Sequence, residues 1–168
     1  MRSTDILTDA FDRVRDAVHP AVNGLRPDEL AFRPGPEANS IAWLVWHLTR
    51  IQDDHLSGLA GRPQVWTAAG WADRFGLPLD VDDTGYGHDA DAVGAVRADA
   101  VSLLGYFEEV HAATVAYLAT LDDGALDRVV DTGWNPPVTA GVRLVSVIAD
   151  DLQHVGQAAY IRGILQRR

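Results

Sequence analysis

Asp150 and His154 stand four residues apart in a segment that is apolar almost all round. On a helix that spacing brings both side chains to one face, roughly 5–6 Å apart at Cβ. Val147, Ile161 and Leu165 share the face, which points it inward. A carboxylate and an imidazole withdrawn from water need a compensating charge or hydrogen bonds. A divalent cation supplies that compensation. His47, in Trp46-His47-Leu48, flanks the apolar stripe of an earlier segment. Three ligands from two helices would leave coordination positions open to water or substrate. Two plainer arrangements fit the same spacing: a local Asp–His ion pair, and histidines hydrogen-bonded within the core. The carboxylate is also open to choice, because Asp151 lies three before His154 and Asp54 seven after His47.

Four amphipathic stretches must position these residues. Apolar steps of three and four run from about Asp5 to Val18, with Pro20 as the expected stop. Asn39 and Ser40 are good N-caps for a second helix from Ile41 to about Leu59, with Gly58 and Gly61 at its exit. A third is read over about Ala90–Leu121, and a fourth from Thr139 or Ala140 to about Leu165. Asp28-Glu29-Leu30 suggests one short turn. The long 61–88 segment suggests a short helix near Trp66–Arg74 and a loop over one end of the bundle. No strand, repeat or second domain is read. The expectation is one all-α domain over residues 1–168, an up-and-down four-helix bundle.

Bulk properties exclude several functions. The formal charge of −10 argues against nonspecific nucleic-acid binding. No apolar run is long enough for a bilayer, and the charged, amphipathic Met1–Ala17 stretch is not a signal peptide, so a cytoplasmic location with no membrane partner is expected. Cysteine is absent, so any thiol chemistry must use a thiol from elsewhere. His55 and His111 read as core residues, His88 as a loop-orienting residue, His19 as exposed, and Trp43, Trp46 and Trp71 as packing groups. Gln157, one turn past His154, can orient it. Arg50, one turn from His47, is placed to meet an anionic group of a cofactor or substrate.

Ser40-Ile41-Ala42-Trp43-Leu44-Val45-Trp46-His47-Leu48 resembles the start of the second helix in the DinB-like superfamily. Asp150-Asp151-Leu152-Gln153-His154-Val155-Gly156-Gln157 resembles its His-x-x-x-His-x-x-Gln segment, with Asp150 where many members carry a histidine. That departure is similar to the mycothiol-dependent branch, which includes maleylpyruvate isomerase. Gln52-Asp53-Asp54-His55 and Gly85-Tyr86-Gly87-His88 add to the likeness. The resemblance implies a DinB-like bundle with a divalent metal on His47, Asp150 and His154, most naturally Zn, with Ni, Fe or Mn as alternatives. It also implies a thiol transferase or isomerase that takes mycothiol or a similar thiol and a small electrophile, in a homodimer. Asp54, His55 and Asp151 are the general-base candidates. The rival functions are a metal-dependent hydrolase and a non-enzymatic, stress-related bundle whose metal is structural or absent.

Overall fold

Each long helix starts where a side chain can satisfy its first N–H groups. The computed structural model describes residues 1–167. Helix α1 spans Ser3–Val22, and the Asp5 carboxylate accepts the Arg2 N–H at 2.9 Å. Helix α3 spans Ile41–Ala60, with Ser40 Oγ accepting from the Trp43 N–H and Gly61 ending it in the left-handed region. Helix α7 spans Ala100–Leu118 behind the Asp99 cap, and α9 spans Ala140–Leu165 behind the Thr139 cap. Short helices fill the connections: α2 at Pro27–Leu30, α4 at Val65–Ala68, α5 at Trp71–Phe75, α6 at Ala90–Ala95 and α8 at Asp123–Leu126.

Three readings of the sequence need correction. Pro20 lies inside α1, which runs one half-turn further to Val22; so close to the helix end, proline forfeits one hydrogen bond without breaking the remaining turn. The expected third helix is two helices. Val96 turns extended (φ −77°, ψ 100°) and Asp99 caps a fresh start. Residues 122–140 are not wholly irregular either: β1 at Val129–Asp131 pairs antiparallel with β2 at Val138–Thr139. Strands of three and two residues are too short for alternation to mark them.

The four long helices form the all-α bundle. Helix α9 packs between α1 and α3, and α7 packs between α3 and α1 on the opposite side. Cross-helix bonds fix the directions. Gln52 meets Thr114 and Leu59 meets Tyr117, so α3 and α7 run parallel. His55 meets Arg143 while His47 lies near His154, so α3 and α9 run antiparallel. Asp12 meets His111 and His19 meets Glu108, so α1 opposes α7. The order is therefore up, down, down, up rather than strict alternation, because residues 61–99 carry the chain back to the end where α3 began.

The core divides into two apolar clusters. One holds Trp43, Trp46, Trp66, Trp71, Tyr106 and Phe107; the other holds Leu7, Phe11, Leu56, Leu118, Leu144 and Val147. Gly105 permits the first cluster to close, since a Cβ there would stand 2.5 Å from the Trp71 ring. Among the described residues no helix is long and apolar enough to cross a membrane.

Candidate metal centre

His47 sits in the second turn of α3, and Asp150 and His154 sit on adjacent turns of α9. Antiparallel packing of these two helices brings the three side chains together. One ligand atom from each lies within 4.8 Å of the others. The His47 and His154 rings are 4.8 Å apart between centroids and nearly perpendicular, at 79°. His154 Nε2 stands 3.5 Å from Asp150 Oδ1.

Each imidazole is oriented from behind. His47 Nδ1 donates to the Thr84 carbonyl at 2.5 Å, which leaves the Nε2 lone pair for a ligand role. Trp43 stacks on His47, with centroids 4.6 Å apart and planes 15° apart, and also meets the His154 ring edge-on at 6.0 Å. Trp43 Nε1 donates to His88 Nδ1, and His88 Nε2 donates to Asp83. Residues 83–88 thus form a loop that grips the back of the site. Gly85 lies at its closest point, with φ +91°. A Cβ there would stand 2.8 Å from His47 Nδ1, 3.0 Å from Trp46 and 3.2 Å from Trp43. On the other side His154 Nδ1 faces Gln157 Oε1 at 3.4 Å, as the helical spacing anticipates.

The electrostatics fit a cation. Burial holds the His47 imidazole below its usual range, so it favours the neutral, ligating form. Burial pushes the Asp150 carboxyl up, but the hydrogen bond and charge of His154 outweigh it and leave Asp150 lowered. The Asp150 hydrogen bond in turn raises His154. Among the described residues Asp150 Oδ2 is buried with no hydrogen-bond partner, an orphaned acceptor beside two imidazoles. Two imidazole nitrogens and one carboxylate oxygen form a donor set that could hold a divalent metal.

The other candidate residues separate. Asp151 is fully buried on the core side of α9, away from the triad. Burial, reinforced by the Asp150 charge, pushes its carboxyl well above the ordinary range. Arg50, expected to meet an anionic group, is also fully buried. Its guanidinium donates to the Asp83 carbonyl at 3.1 Å and to Gln64 Oε1 at 2.6 Å, and it lies over the Trp66 ring at 5.0 Å. Arg50 braces the 79–85 segment instead. Asp54 and His55 lie about two turns along α3 from His47, where Asp54 accepts from Gln64 Nε2 at 2.8 Å and His55 Nδ1 accepts from Arg143 at 3.2 Å. Burial lowers His55, as does the Arg143 charge.

Three features were not read from the sequence as parts of the site. They are the Trp43 stack on His47, the Thr84 carbonyl and the closeness of Gly85. The i, i+4 spacing of Trp43 and His47 is a signal for the first. The other two depend on where a long loop folds back, which has no local signature.

The DinB superfamily profile matches residues 10–158. The chain belongs to the DinB superfamily. A DinB-like fold is also seen in a crystal structure described as the conserved protein of a locus from Enterococcus faecalis. It is 31% identical, with a TM-score of 0.93, and the match covers 100% of this chain and 99% of that one. No curated protein matches the sequence.

Proposed function

We propose that this DinB-superfamily protein conjugates a low-molecular-weight thiol, mycothiol or a close relative, to a small electrophile, using a divalent ion held by His47, Asp150 and His154. The observation that carries the reading is the convergence of these three side chains within 4.8 Å, with Asp150 Oδ2 otherwise unpartnered among the described residues. When bound, a borderline-soft ion such as Zn supplies the charge that favours thiolate over thiol near neutral pH. Ni, Fe and Mn accept the same donors, and Zn suits them best.

The chain's own residues set up this chemistry. The Thr84 carbonyl fixes the His47 tautomer, and Trp43 packs against both imidazoles. With no cysteine in the chain, the sulfur nucleophile arrives as a cosubstrate. In the conjugation a sulfur electron pair forms the new carbon–sulfur bond, the leaving group departs with its bonding pair, and the thiol proton passes to a base or to water. Asp151 is sealed from that proton, and the His55 Nδ1 lone pair already accepts from Arg143. Asp54 lies about two turns along α3 from His47, so the proton leaves to water.

The same reading includes a homodimer in the cytoplasm. Val142, Val145, Leu152 and Tyr160 expose an apolar stripe along the outer face of α9, which supports pairing through that helix. Light scattering that gave the mass of a single chain across micromolar concentrations would refute it.

The test of function offers mycothiol, bacillithiol, glutathione and water in turn to metal-loaded protein with a halogenated bimane or an ester. Fast conjugation of a thiol, slowed by His47→Ala, is expected. Ester hydrolysis that ignores every thiol would establish the hydrolase rival. Inertness towards all of them would favour a structural role for the bundle.

A further inference from the structure

We propose that the triad is one end of a two-point ligand site, and that Arg143 and Arg128 at the other end bind a carboxylate carried by the molecule whose sulfur reaches the triad, which selects a mycothiol relative with a free carboxylate, such as bacillithiol, over mycothiol itself, whose cysteine carboxyl is tied up in an amide. This rests on the reading of the triad as a metal centre.

Helical geometry sets the two ends on the same faces of α3 and α9. Arg143 precedes Asp150 by seven residues and His154 by eleven, which places it within about 20° of both around α9. Asp54 follows His47 by seven residues, on the same line along α3. Since α3 and α9 are antiparallel neighbours, both lines run along the same α3–α9 seam. The axial separation of Arg143 from Asp150 is about 10 Å, from seven residues of helical rise.

At the far end lies a cavity of about 490 Å³. Asp54, His55, Arg128, Asp131 and Arg143 line it, with the β1 backbone. The acids there already have donors. Arg143 Nη2 bonds Asp131 at 2.9 Å, and Gln64 Nε2 bonds Asp54 at 2.8 Å. The cations have donors to spare. Arg143 commits one N–H to His55 and one to Asp131, and Arg128 commits one to the Leu59 carbonyl at 3.1 Å, from five N–H groups each. Because a guanidinium can only donate, His55 Nδ1 is the acceptor and Nε2 carries the proton, a further donor. Two guanidiniums and an imidazole N–H suit a planar carboxylate, which accepts paired N–H donors.

The test loads the protein with Co(II) and follows the sulfur-to-cobalt absorption band during titration with mercaptohexanoic acid, mercaptohexanol and mercaptoacetic acid. The first spans that separation with a carboxylate, the second spans it without one, and the third is too short to span it. Mercaptohexanoic acid should bind at least about tenfold more tightly than mercaptohexanol. Arg143→Met should erase that preference, and Arg128→Met should reduce it. Mercaptoacetic acid should be indifferent to both changes. Cobalt stoichiometry and melting curves check that the variants fold. Equal binding of the long acid and the alcohol, unaltered by Arg143→Met, would overturn the carboxylate site while leaving the thiol reading intact. Absence of the band with every thiol would instead sink the thiol reading. A second arm then judges the pocket alone: hexanoate titrated into metal-free protein should shift the His55 ring resonances saturably, and no shift would overturn the proposal.

Discussion

Gly85→Ala tests whether the 83–88 loop sets the geometry of His47. Two effects follow from the structure. The backbone at Gly85 has φ +91°, where an L-residue is disfavoured by about 1–2 kcal/mol. The added methyl would also stand 2.8 Å from His47 Nδ1, closer than atoms tolerate, with Trp46 and Trp43 blocking retreat at 3.0 and 3.2 Å. The imidazole must then tilt and lose its bond to the Thr84 carbonyl, and loss of such a supporting bond weakens metal affinity by roughly 10–100-fold. Gly87→Ala is the matched control. Its φ is +76°, so it has a similar backbone penalty, but nothing lies within 4 Å of its Cβ position. Both variants should melt lower by a few degrees, at roughly 2–4 °C per kcal/mol for a domain of this size. Only Gly85→Ala should lose metal affinity in competition with a chromophoric chelator. Equal affinities for the two variants would refute the steric argument.

Three further outcomes are expected. Asp150→Asn should weaken metal binding strongly and Asp151→Asn should leave it near wild type, because Asp151 faces the core; chelator competition in the reverse order would mean the carboxylate was misassigned. Asp53→Ala should destabilise the fold by about 3 kcal/mol or more in urea titrations, because buried Asp53 accepts from the Val65 and Trp66 N–H groups and the Tyr106 hydroxyl; a change under about 1 kcal/mol would show that these donors find other partners. Burial, aided by the Arg15 charge, lowers the His111 pKa, so below about pH 6.5 the unfolded chain binds the extra proton and stability falls as pH drops towards the folded value. His111→Gln should show a smaller acid-side loss than wild type between pH 7.5 and 5, and identical losses would contradict this assignment.

How far the sequence could be read depended on how local each signal was. The long helices were legible because apolar periodicity and caps such as Ser40 and Thr139 act within one turn. The clustering of His47, Asp150 and His154 was legible for a similar reason: Asp150 and His154 lie one turn apart, and His47 flanks the apolar stripe of its own helix. The break at Val96–Asp99 was missed because apolar spacing continues through it, and Asp99 was not recognised as a cap. The burial of Arg50 was not legible because its spacing from His47 shows proximity along the helix but not the loop that covers it. The Arg143–His55–Asp131 contact joins three elements far apart in sequence, one of them a hairpin too short to announce itself.

The central claim is that His47, Asp150 and His154 form a divalent-metal site, and elemental analysis of protein purified without nickel-affinity steps tests it most directly. The account predicts about one divalent ion per chain, removed by chelation, restored by Zn, and absent from His154→Ala protein that still folds. Wild-type protein that carries no metal and takes up none from a panel of Zn, Ni, Fe(II) and Mn would contradict it.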